Sequence, residues 1–179
     1  ALATRYNGDT ASPRGPLDLA YAEAMRELSN KYPEDDDAAS LFAESLMNTM
    51  PWDYWIDADS PKPLTVEAIE ILEKVMARNP RHPMALHLYI HAVESSSQPE
   101  RAEAAADILL DLVPGAGHLV HMPSHIYWRV GRYADASESN IMAAAVDEAY
   151  IAACNAQGFY PAAYYPHNIH FLWASSSME

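Results

Sequence analysis

Along most of the chain, apolar residues recur at the three- and four-residue spacing of one helix face. No stretch sustains the period-two alternation that a half-buried strand needs. The pattern predicts helices near 17–31, 36–49, 65–79, 83–95, 99–112, 120–131, 133–148 and 166–178, and an all-α fold. Pro83 and Pro99 fall in first turns, where a residue without an N–H is tolerated. The acidic run Glu34 to Asp37 precedes a predicted helix, where carboxylates complement the positive end of the helix dipole.

A longer period overlies the short one. Ala68, Ala102 and Ala136 are spaced by 34 residues, as are Val75, Leu109 and Ala143, and Pro80 stands 34 before Pro114. Small residues at the first site let two helices approach closely, and the prolines end the second helix of a pair. A 34-residue helix–turn–helix period is the tetratricopeptide signature. The stretch from Ile126 to Ala136 resembles the most diagnostic part of that repeat, with its first-helix aromatic, turn glycine, tyrosine and small alanine in place. The resemblance implies one helical repeat domain over 1–179, a right-handed α-solenoid of antiparallel helix pairs. About three to four repeats are expected, near 36–82, 83–116, 117–150 and, truncated, 163–179.

Two insertions interrupt the period, at 51–63 and at about 151–162. The first is aromatic-rich. Trp52, Tyr54 and Trp55 either fold over one face to shape a binding surface or cap the hydrophobic stack. The resemblance also reaches below the superfamily. His82-Pro83, the His87–His91 segment, the run PGAGHLVHMPSHIY from Pro114 to Tyr127 and YPHNIHF from Tyr165 to Phe171 resemble a group of larger bacterial tetratricopeptide-repeat proteins. The likeness covers nearly the whole chain and implies an internal part of such a protein. A start at Ala1 and an end at Glu179, inside a predicted helix, agree with that expectation. It carries fold and architecture but no activity.

Eight histidines are present, and their register matters more than their number. With repeats starting at Pro83 and Gly117, His87 and His91 take the fifth and ninth positions, and so do His121 and His125. His118 takes the second position. A start at Ala163 puts His167 fifth and His170 eighth. In tetratricopeptide domains positions two, five, nine, twelve and thirteen generally face the concave groove, so the resemblance implies that these seven histidines line one surface. Glu44, Glu94, Asn48, Trp128 and Arg129 are expected to join them there, as are Trp52 and Trp55 if the insertion folds over that face. Pro123 cannot donate to the carbonyl of Leu119, so a helix start or kink is expected between His121 and His125.

The chemistry follows from these residue types. Histidines four apart share a helix face with Cβ atoms about 5–6 Å apart, and packed helices lie about 8–10 Å from each other. Imidazole nitrogens suit divalent Zn, Cu, Ni or Fe. Glu94 and Glu44 are candidates to complete coordination, orient an imidazole or act as a general base. His87-Leu88-Tyr89-Ile90-His91 lacks the glutamate of a zinc-protease motif. Single Cys154 excludes an internal disulfide and reads as a small buried residue. Eleven Lys and Arg against 25 Asp and Glu give a net charge of −14, which disfavours nucleic acid as a partner. No apolar run approaches the roughly 20 residues of a membrane span. Three functions stay open: a scaffold binding a protein or peptide, a metal-binding groove with or without catalysis, and a pH-responsive groove. Compartment, cytoplasmic or periplasmic, and oligomeric state are not fixed by these residues.

Overall fold

A computed structural model describes residues 1–179. The chain divides into two compact units, Ala1–Ser97 and Gln98–Glu179. Both are built of helices, with one two-stranded ribbon in the first.

The first unit contains α1 (Arg14–Lys31), α2 (Asp36–Met47), β1 (Trp55–Asp57), β2 (Ser60–Pro61), α3 (Pro63–Arg78) and α4 (Pro83–Val93). Asp35 begins α2 as its cap, its carboxylate accepting from the Ala38 N–H at 2.9 Å, while Asp36 and Asp37 sit in the first turn. His82 caps α4 in the same way. Its Nδ1 accepts from the Ala85 N–H at 3.2 Å, so Nε2 carries the hydrogen and donates to Asp37 at 3.1 Å. The core is apolar, with Leu46, Leu72, Val75, Leu86, Ile90 and Val93 almost wholly enclosed. An Arg26–Glu67 ion pair ties α1 to α3.

The 51–63 insertion folds as an antiparallel hairpin, too short for its alternation to register in the sequence pattern. It is pinned to the end of α4 by the Trp55 indole N–H on Ala92 O and by the Ser97 N–H on Ala58 O, both at 2.8 Å. Of its aromatics, Trp55 is anchored and Tyr54 half-buried. Trp52 stands in solvent at 81% exposure with a left-handed φ of 55°.

The second unit enters through a tight 3-10 turn at Pro99–Ala102. It continues as α5 (Glu103–Leu110), α6 (Gly117–His121), α7 (Pro123–Val130), α8 (Tyr133–Cys154) and α9 (Tyr165–Ser176). Pro123 does divide α6 from α7, but Met122 keeps helical angles (φ −51°, ψ −38°), so the chain bends without breaking. Gly131 ends α7 with φ 83°, letting the Arg132 N–H close onto Tyr127 O at 2.8 Å. Helix α8 runs beyond the expected 148 and leaves Cys154 exposed, which corrects its reading as a buried residue. A π-helical turn, Tyr160–Tyr164, feeds α9, which lies antiparallel to α8. The Ser137 hydroxyl meets Ser175 at 3.0 Å near one end, and Asp147 meets Asn168 at 2.7 Å further along.

The six alanine, valine and leucine positions that repeat every 34 residues are all fully buried. The recurrence therefore marks the core. No helix is long and apolar enough to cross a membrane. Truncating Leu72 or Leu109 to alanine should cost about 2–5 kcal/mol by urea unfolding, since both are enclosed completely. Ile141→Ala, at a position 57% exposed, should change stability by under about 0.5 kcal/mol.

Candidate metal centre

Helices α6, α7 and α9 bring three imidazoles of the second unit together. His121 is fully enclosed, His125 is buried and His167 is half-buried. One ring nitrogen from each lies within 4.8 Å of the others. The bend at Pro123 keeps His121 and His125 on one side, with their Nε2 atoms 2.9 Å apart and their ring planes at 80°. His167 comes from the first turn of α9, its ring centre 4.7 Å from that of His121 and 5.6 Å from that of His125. Phe171, one turn later, packs its ring 4.5–5.0 Å from all three and forms an apolar wall beside them.

The protonation pattern of His121 follows from a neighbour on α8. Asn140 is fully buried, and its amide Nδ2 donates to Ala136 O at 2.7 Å. Its Oδ1 therefore faces His121 Nδ1, 2.6 Å away. An amide oxygen only accepts, so Nδ1 carries the hydrogen and Nε2 keeps its lone pair. That lone pair points at His125 Nε2. Burial holds the His121 pKa well below the usual 6.5; His125, His167 and His118 push it further down, while the bond to Asn140 opposes them. The ring is thus neutral and ready to donate an electron pair, with its other nitrogen fixed by a protein acceptor. Metal-ligating imidazoles need both properties.

A second layer sets the backbone around the cluster. Asp147 on α8 is almost wholly buried. Its Oδ1 accepts from the Tyr160 hydroxyl and its Oδ2 from the Asn168 amide, both at 2.7 Å. Burial raises the Asp147 pKa, and the two donors pull it back towards the ionised form. Asn168 follows His167 directly, so this carboxylate holds the α9 end of the cluster. It also crowds the start of α6. A Cβ at Gly117 would stand 2.0 Å from Asp147 Oδ1, so only glycine fits there.

The remaining candidates lie as follows. His118 on α6 stacks edge-on against Tyr164 at 4.9 Å, with the His121 ring 6.0 Å away. His170 is exposed, stacks on Trp173 at 5.8 Å and is not among the grouped imidazoles. Trp128 and Arg129 are exposed at the end of α7. In the first unit His87 and His91 face each other on α4, and His91 Nδ1 lies 2.9 Å from Glu94 Oε1. Glu44 and Asn48 are half-buried towards the C-terminal end of α2, where Asn48 Nδ2 is buried without a hydrogen-bond partner. Trp52 extends from the insertion into solvent, and Trp55 is taken up by its bond to Ala92. Asn140, Asp147 and Phe171 were not singled out by the sequence. The first two fall on the buried 136–140–143–147 stripe of α8, and polar residues on a core stripe are the signal that could have found them.

No protein-family model matches the chain, nor does any curated protein or solved structure.

Two outcomes follow from this geometry. The unfolded chain binds a proton at His121 near pH 6.5, whereas the folded chain binds it only at lower pH. Stability of the metal-free protein is therefore retained above that range and lost as pH falls from 6.5 through the lowered pKa. Unfolding free energies from urea titrations in EDTA should fall more steeply with falling pH for the wild type than for His121→Gln, by up to about 1.4 kcal/mol per pH unit. Separately, Gly117→Ala should destabilise by about 1–3 kcal/mol. Gly115→Ala, whose Cβ meets nothing within 4 Å, should be neutral or mildly stabilising in the same assay.

Proposed function

We propose that this chain is a helical-repeat scaffold of the tetratricopeptide type whose His121, His125 and His167 bind one divalent transition-metal ion. The repeat reading is supported by the 34-residue recurrence of fully buried positions and by the matching starts of α4 and α6 at Pro83 and Gly117. The metal reading rests on one observation above the others. His121 Nε2 is a lone pair, fixed as such by Asn140, directed into a group of imidazoles within 4.8 Å.

Magnitudes agree. Metal–nitrogen bonds of 2.0–2.1 Å set neighbouring ligands about 3.3 Å apart in a tetrahedral site and about 2.9 Å apart at right angles. The His121–His125 nitrogens stand at 2.9 Å, so they need open by no more than about 0.4 Å. All-nitrogen donors favour Zn²⁺, Cu²⁺, Ni²⁺ or Fe²⁺ over Ca²⁺ or Mg²⁺, which take oxygen. Three protein ligands on a four-coordinate ion leave one position for water or an exogenous donor, the arrangement on which metal-dependent catalysis relies. A metal-free peptide-binding scaffold is the competing reading, and metal uptake separates the two.

Protein without a histidine tag, stripped with EDTA and titrated with Zn²⁺ by calorimetry, should bind one equivalent at this cluster. His125→Ala with His167→Ala should remove that equivalent while helicity is unchanged, since His167 is half-buried and its loss opens little core. Asn140→Ala should weaken the site by about 10–100-fold. Equal Zn²⁺ uptake by wild type and the double variant would discard the assignment.

A further inference from the structure

The first unit contains an imidazole pair that this site does not use. His87 and His91 stand one turn apart on α4, ring centres 5.0 Å apart with planes at 64°. The pairing is nearly that of His121 and His125, at 4.8 Å and 80°. Each residue lies 34 positions before its counterpart. Both are half-buried, accessible enough for an ion to arrive and shielded enough for its bonds to count.

Glu94 makes the pair directional. It closes α4 as the C-terminal cap residue, and its Oε1 lies 2.9 Å from His91 Nδ1. An ionised carboxylate only accepts, so His91 Nδ1 carries a hydrogen, and Nε2 is the atom a metal would take in the neutral ring. A carboxylate on one imidazole nitrogen and a metal on the other is a recurrent arrangement, because the carboxylate fixes the tautomer and makes the ring a stronger donor. The hairpin lies against this end of the helix through the Trp55–Ala92 bond, and the half-buried Tyr54 senses the Glu94 charge, which adds to the effect of burial in raising its pKa.

We propose that His87 and His91, oriented by Glu94, form a second divalent transition-metal site with water completing its coordination. Its protein ligands are not those of the three-histidine cluster. With two protein ligands against three, it is the weaker of the two.

Apo-protein titrated with Co²⁺, followed by equilibrium dialysis and visible absorption, reads both sites at once. The wild type should take up two ions, the second more weakly. His87→Ala with His91→Ala should bind one, with the tighter ion's spectrum unchanged. Glu94→Gln should weaken the second ion by about 10–100-fold and leave the first alone, with helicity preserved. A wild-type capacity of one ion, lost only in the His125/His167 double variant, overturns the second site and keeps the first. A single ion lost only in the His87/His91 variant supports the second site and removes the first.

Discussion

The hydrogen bond from His121 Nδ1 to Asn140 Oδ1 is the constraint on which the chemistry of the second unit depends. Both residues are fully buried, where an unmet polar atom costs about 1–3 kcal/mol. Asn140 has no freedom to turn, because its amide nitrogen is spent on the carbonyl one turn back along α8. The oxygen is left for His121, and the imidazole has one tautomer open to it. Everything else in the cluster meets the lone pair that results.

Holding that lone pair against two other imidazoles falls to backbone features with little chemistry of their own. Pro123 removes one helical hydrogen bond but Met122 stays helical, so α6 and α7 meet at a bend that keeps rings four residues apart in contact. Gly117 lets α6 begin against the Asp147 carboxylate, and that carboxylate grips Asn168 next to His167. A buried acid is costly unless hydrogen-bonded, and Asp147 has two donors. Its role in this unit is to tie Tyr160 and the first turn of α9 to α8, with the start of α6 packed close against it.

Helix positions and the buried 34-residue recurrence were legible in the sequence because both are periodic, and periodicity is what core burial writes into a chain. Pro123 was legible as a kink for a local steric reason. The metal-ready tautomer was not. It depends on Asn140, nineteen residues from His121, and no spacing rule singles out that pairing. His170 shows the opposite failure. It shares a helix with His167 and looked equivalent to it, yet three residues further on it faces Trp173 and solvent. Register grouped His167 with His170, and only side-chain packing separates the one that converges on His121 from the one that does not. The same holds for the insertion, where three nearby aromatics end in three different environments.

The two imidazole pairs differ most in what holds their Nδ1 hydrogens, an amide for His121 and a carboxylate for His91. Burial accounts for the choice. His121 has no exposure, and a carboxylate beside it would carry a full charge into the core at a cost of several kcal/mol, with no cation on hand when metal is absent. A neutral amide fixes the tautomer without that penalty. The His91 side chain is 15% exposed and Glu94 21%, so water shares the carboxylate's solvation and the charge is tolerable. Depth in the fold therefore sets which acceptor each imidazole can use.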